Sequence, residues 1–217
     1  MAQRKEVGVI GLGKFGFCLA ETLMELGHQV IGVDKSESRV RVARDALTQV
    51  YQADAMDKVA LQQLGFGELE FVVVSIGGSM EASILITMNL KELGTGQVWV
   101  KAVSRDHEKV LNKIGADFVV FPERFVARQL AHRLAVPGLL NYLPLGGGIV
   151  LQEFNVDKWA GQTLRELDLP NRHHLLVVAV KRPGEDKPSF IPRADVRLEK
   201  GDVLVAIGGD EDRLGEG

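Results

Sequence analysis

The chain has 217 residues, with 26 Lys and Arg against 29 Asp and Glu, for a formal net charge of −3. With 46% hydrophobic and 25% charged residues it has the composition of a folded globular chain, which excludes disorder, a collagen-like repeat and a disulfide-stapled miniprotein. The slightly acidic balance provides no basic face, so no nucleic-acid partner is expected.

From Glu6 to about Leu134 short β-branched runs alternate with helical segments. The strand-like runs are Val7–Ile10, Val30–Val33, Gln49–Gln52, Phe71–Ile76, Val98–Val103 and Phe118–Phe121. Between them, Phe15, Leu19, Leu23 and Leu26 keep the 3–4 spacing of an amphipathic helix; Val40 and Ala43–Leu47 do the same, and Ile84, Met88 and Leu93 fall in another such stretch. Several strands are apolar at consecutive positions, as expected when helices cover both faces of a parallel sheet. The pattern predicts an α/β doubly wound parallel sheet built from β–α units with right-handed crossovers.

Beyond Leu134 the punctuation changes. Pro137–Gly138, Pro144 and Gly146–Gly147–Gly148 fall close together and read as a connector over 137–147. Strand-like segments follow at Ile149–Phe154, Leu175–Lys181, Ser189–Ile191 and Val203–Ile207, with one short helix at Thr163–Leu167. The expected organisation is a nucleotide-binding domain over 1–136, the connector, and a small α+β lobe over 148–217. A lobe of that size is near the lower limit for an independent core, so it is expected to lean on a partner or on its own copy.

The first β–α unit carries the chemistry. Gly11, Gly13 and Gly16 form G-x-G-x-x-G directly after a strand and at the opening of a helix, the context in which this motif binds dinucleotides. Gly11 permits the tight turn, Gly13 lets backbone approach a pyrophosphate, and Gly16 allows close helix–strand packing. Asp34 lies 18 residues past Gly16, at the end of the second strand, where a carboxylate accepts hydrogen bonds from ribose hydroxyls and repels a 2′-phosphate. This is a Rossmann-like arrangement. Ser36 reads as the cap of the following helix, leaving Asp34 for the ligand. Lys14 puts a cation inside the loop, and Phe15 and Lys35 flank the motif residues. The other strand ends add Asp54 and Ala55, Ile76 and Gly77, and Lys101, all where α/β folds bind ligands.

Other chemistries lack their residues. His173 and His174 are neighbours on an expected strand and point to opposite faces; His28, His107 and His132 have no companion at ligand spacing and read as surface or helix-end residues. No G-x-S-x-G, H-E-x-x-H or Cys–His pairing is present. The apolar runs Phe71–Val74 and Leu175–Val180 fall well short of the roughly 20 residues that span a bilayer. The single Cys18 fits a reducing compartment, so a soluble, intracellular, non-enzymatic nucleotide sensor is expected.

These features resemble the RCK family of K⁺-conductance regulators, of the KtrA/TrkA type found in bacterial potassium uptake systems. The likeness rests on Val9–Gly16, Gly32–Asp34, Val98–Ala102, Val110–Asp117, Pro122–Glu123 and Leu139–Tyr142. It implies a cytoplasmic regulatory subunit in which dimers assemble into an octameric ring. The ring sits at the inner face of the membrane through a KtrB/TrkH-like channel subunit, with ATP favouring the active state over ADP. Gly11, Gly13, Gly16 and Asp34 carry over as nucleotide contacts. Lys14 stands where the family usually has Arg, keeping the charge but not the bidentate fork. Glu123 matches a glutamate that helps hold a divalent cation near the phosphates at a subunit contact. A cyclic di-AMP site in the C-terminal lobe is also implied, but its arginine does not carry over: Leu167–Asp168–Leu169 is followed by Pro170, and Arg172 comes two positions later. Two alternatives are an NAD/NADH-responsive subunit of the same transport class and an NAD-dependent oxidoreductase.

Overall fold

The short β-branched runs form the strands of a parallel sheet. A computed structural model of the protein describes residues 4–185 and 187–209, and the chain divides into two compact units after Pro122. In the first unit, strands β1 (Glu6–Ile10), β2 (Gln29–Asp34), β3 (Gln49–Gln52), β4 (Phe71–Val74), β5 (Gln97–Lys101) and β6 (Phe118–Val120) alternate with helices α1 (Lys14–Glu25), α2 (Glu37–Ala43), α3 (Lys58–Gln63), α4 (Met80–Glu92) and α5 (Arg105–Lys113). The sheet order is β3-β2-β1-β4-β5-β6. Every pairing is parallel, for example Val9 with Gly32 and Ile10 with Val74.

Helices cover both faces, so alternate strand residues enter different cores. Val9 and Val30 pack with Leu12, Ala20, Ala43 and Leu47 on one side. Ile10, Ile31 and Val33 pack with Leu61, Phe66, Ile86, Leu90 and Leu111 on the other. This two-sided burial accounts for the unbroken apolar runs. Helix starts are set by side-chain acceptors: Asp57 takes the N–H of Val59, Ser79 that of Ala82 and Ser104 that of His107. The strand order reverses between β1 and β4, which places a crevice at their C-terminal ends. Strands β4 and β5 stop at Val74 and Lys101, shorter than the sequence runs suggest, so Ser75, Ile76 and Gly77 lie beyond the sheet and free to shape that crevice.

The second unit contains α6 (Pro122–Ala135), β7 (Leu139–Gly146), β8 (Ile149–Asn155), α7 (Leu164–Leu167), α8 (Leu169–His173), β9 (Leu176–Lys181), β10 (Ser189–Phe190) and β11 (Val203–Gly209). Its sheet, ordered β10-β9-β11-β8-β7, is antiparallel. Its core is built on Tyr142, Phe154, Leu175, Leu198 and Leu204.

Three sequence expectations are corrected here. Residues 137–147 are not a connector, because Leu139–Gly146 is a sheet strand paired with β8. Its proline is tolerated because β7 is an edge strand, and Gly146, Gly147 and Gly148, all at positive φ, form the turn of a β7–β8 hairpin. Nor do His173 and His174 sit on a strand: His173 ends α8 and His174 adopts a left-handed conformation at φ 51°. Pro170 in the first turn of α8 favours a helix start there. Helix α6, which the sequence reading kept with the first domain, falls with the second unit. Among the described residues no helix is long and apolar enough to cross a membrane.

Candidate functional site at the switch point

The three glycines do different jobs. Gly11 has φ 93°, and a Cβ on it would lie 2.8 Å from the carbonyl oxygen of Ser75 and 2.9 Å from the Ile76 δ-methyl. A Cβ on Gly16 would lie 2.0 Å from the carbonyl oxygen of Gly11. Both glycines are therefore required by the fold itself, one for its turn and one for the close packing of α1 on the loop. Gly13 differs. Its backbone is ordinary, with φ −72° and ψ −174°, and a Cβ there would meet nothing within 4 Å. The space it leaves lies at the start of α1, where no side chain caps the helix and the first turn has no acidic residue. Uncapped N–H groups at a helix start favour an anion.

Two backbone hydrogen bonds lock the loop to the sheet: Gly11 N–H donates to the Val33 carbonyl and Ser75 N–H to the Ile10 carbonyl, both at 2.7 Å. Asp34 closes the site on the β2 side. Its side chain is only 3% exposed. Oδ2 accepts from Leu12 N–H at 2.8 Å and from the Arg39 guanidinium at 3.2 Å, while Oδ1 accepts from Ser36 N–H at 2.8 Å. Asp34 is thus held by three donors. Ser36 occupies the cap position of α2 without capping it, its hydroxyl pairing instead with that of Ser38 at 2.9 Å.

The remaining candidates separate. Lys14, the first residue of α1, is exposed. Lys101 reaches toward Phe15, its ammonium 5.6 Å from the ring centre, and lies 4.0 Å from where a Gly77 Cβ would stand. With Ile76 against Gly11, residues from three strand ends converge on the glycine loop. Lys35 is exposed beside Asp34, and its carbonyl accepts from Gln52 Nε2 at 3.4 Å. Asp54 is exposed and accepts the N–H of Met56 at 3.0 Å. Ala55 is buried in the core, so its methyl contributes packing. Glu123 lies in the first turn of α6, in the second unit. Among the described residues no group of three or more His, Cys, Asp or Glu is arranged to hold a metal ion.

Two residues escaped the sequence reading. Arg39, one turn into α2, reaches the Asp34 carboxylate. His107 is not at the surface but wholly buried. Its Nδ1 accepts from Val103 N–H at 3.3 Å and its Nε2 has no hydrogen-bond partner among the described residues, and burial pushes its pKa below the usual histidine value. Its spacing from Leu111, i and i+4 on the inner face of α5, was the available signal.

An open parallel sheet with a glycine loop and a strand-end carboxylate at its switch point, followed by a small antiparallel lobe, is the architecture of a two-lobed protein built on a dinucleotide fold. The TrkA-N domain family matches residues 7–122, and the TrkA-C domain family matches residues 151–214. The chain belongs to the RCK family of the KtrA/TrkA type. It is 38% identical over 206 residues to the Ktr system potassium uptake protein C of Bacillus subtilis (strain 168), covering 94% of this chain and 92% of that protein. It is 35% identical over 211 residues to the Ktr system potassium uptake protein A of Vibrio alginolyticus, covering 97% and 94%. Among solved structures, the GsuK channel shares the fold with a TM-score of 0.71 at 19% identity, over 96% of this chain and 38% of that one. The GsuK channel bound to NAD gives a TM-score of 0.70 at 16% identity, over 99% and 39%.

Proposed function

We propose that this protein is a nucleotide-binding regulatory subunit that gates a membrane K⁺ channel or transporter, with ATP favouring the active state over ADP, and that it is not an enzyme. The observation that carries this reading is the space over Gly13, which packing within the chain does not require and which lies between uncapped N–H groups and a strand-end carboxylate. Relatives that match over almost their whole length are potassium uptake proteins. A pyrophosphate would lie over Gly13 at the start of α1, its ribose toward Asp34, and its outer phosphate toward Lys14. Phe15, Lys35, Asp54, Ile76, Gly77 and Lys101 are assigned to line or flank this path, while Ala55 packs in the core beneath it. Glu123 is assigned to a divalent cation near the phosphates at a contact between subunits.

Such a subunit works only if ATP and ADP bind two assembly shapes with different affinity. A homo-oligomer, dimers assembled into an octameric ring, converts small changes at each site into a displacement at a KtrB/TrkH-like partner at the inner face of the membrane. The exposed stripe Val126, Leu130 and Leu134 on α6 supports such an assembly.

Titration calorimetry with ATP, ADP, NAD⁺ and NADH, with and without Mg²⁺ or Ca²⁺, tests the ligand. K⁺ flux with the co-expressed channel tests the gating. Flux indifferent to ATP and ADP overturns the mechanism. NAD(H) as the effector is the second reading, favoured by the NAD-bound GsuK channel that shares the fold. Tighter binding of NAD⁺ or NADH than of ATP selects it.

A further inference from the structure

We infer that Arg39 is a specificity-determining residue that competes with the ribose for Asp34 and must be displaced when a nucleotide binds. The inference rests on the assignment of Asp34 to the ribose. A carboxylate oxygen has two lone pairs in its plane. On Asp34, Oδ2 already accepts from Leu12 N–H and from Arg39, so both of its lone pairs are taken. Oδ1 accepts from Ser36 N–H and keeps one. A ribose has two neighbouring hydroxyls to donate, and two acceptor positions on the carboxylate are needed to receive them.

Of the three donors that hold Asp34, two are backbone N–H groups and do not leave without moving the glycine loop or the β2–α2 turn. Arg39 is a long side chain, 56% exposed, on the outer surface of α2. It is the movable partner. Its guanidinium lies 3.2 Å from Oδ2 of a carboxylate whose side chain is only 3% exposed. Binding a ribonucleotide therefore exchanges an ion pair for a ribose hydrogen bond, and Arg39 weakens the contribution of the ribose to affinity. A nucleotide lacking the 2′-hydroxyl has less to gain from displacing it.

The test is the affinity ratio of ADP over 2′-deoxy-ADP, measured by calorimetry on the full chain as wild type and as Arg39→Ala. The expected result is that the wild type prefers ADP and that Arg39→Ala widens the ratio about fivefold, the upper end for an ion pair with one exposed partner. A cooperative thermal unfolding transition confirms that the variant is folded. If the wild type prefers ADP and Arg39→Ala leaves the ratio unchanged or narrows it, Arg39 does not compete with the ribose and this inference falls while the ribose assignment stands. If neither protein distinguishes the two nucleotides, the assignment of Asp34 falls and the inference falls with it.

Discussion

The backbone N–H of Leu12 donates to Oδ2 of Asp34 at 2.8 Å, so the glycine loop after β1 and the end of β2 are joined through the same carboxylate that we propose receives the ribose. That bond fixes the distance between the glycine loop and the strand-end carboxylate, the two ends proposed for phosphate and ribose. Preorganisation of this kind lowers the ordering cost of binding.

Asp34→Ala should therefore damage two things. Nucleotide affinity should fall by about 1.5–3 kcal/mol, the usual worth of hydrogen bonds to a charged group. Stability should also fall by about 1–3 kcal/mol, because Leu12 N–H loses its acceptor in a buried setting. Calorimetry and thermal unfolding of the same variant measure both, and a loss of affinity with no change in stability would mean that Leu12 finds another acceptor.

The glycines separate folding from binding in the opposite way. Gly16→Ala places a methyl 2.0 Å from the Gly11 carbonyl and should cost about 1–3 kcal/mol of stability. Gly13→Ala has an ordinary backbone and open space, so its melting temperature should stay at the wild-type value or rise slightly. Its nucleotide affinity should drop by an order of magnitude or more, since the methyl enters the space assigned to the pyrophosphate. Normal binding by a folded Gly13→Ala would move the phosphates away from the loop.

In the proposed reading Lys14 meets the last phosphate of the nucleotide. Lys14→Ala should weaken ATP more than ADP, because ATP alone has a γ-phosphate for the ammonium to meet. Equal losses would make it a general phosphate contact, and unchanged affinities would leave it a solvated helix residue.

Much of this site was legible because its geometry is local. The spacing of Gly11, Gly13, Gly16 and Asp34 is set by one strand, one turn, one helix and the next strand, and a sequence motif records such short-range geometry directly. Arg39 was not legible, since an arginine one turn into a helix looks like any solvated cation until the β2–α2 turn folds it back onto Asp34. The strand Leu139–Gly146 was hidden by Pro144 and the glycine run, which in the folded chain mark a sheet edge and a hairpin turn. His107 was hidden by its neighbours: Arg105, Asp106, Glu108 and Lys109 make the start of α5 read as solvent-facing, although His107 and Leu111 point inward.

His107 makes stability depend on pH. Its folded pKa lies below its unfolded value near 6.5, because burial disfavours the charged ring. Below that value the unfolded chain takes up a proton that the native chain resists, so the unfolded state gains and stability is lost as pH falls from about 6.5 toward the lower folded pKa. His107→Asn keeps an acceptor near Val103 N–H but does not titrate. It should be less stable at neutral pH, from lost volume, yet show a flatter decline as pH falls below about 6.5 in denaturant unfolding. A slope equal to that of the wild type would assign the acid sensitivity to other groups.

The last prediction concerns assembly. Helix α6 has no buried residue, and Val126 and Leu130 are each 50% exposed and Leu134 89%. These residues lie at i, i+4 and i+8, on one side of the helix, where an apolar surface gains about 25 cal/mol for each Å² removed from water. A stripe of this kind left in water favours association. The full chain should therefore run above a dimer in light scattering, and Leu130→Asp should shift it to a smaller species, because a charge buried against a neighbouring stripe loses its hydration without a partner. The substitution touches no core contact in the chain, so the helical signal in circular dichroism should be preserved. A Leu130→Asp protein of wild-type size would place the contact between copies elsewhere, and a wild type that stays monomeric at all concentrations would remove the ring on which the proposed gating depends.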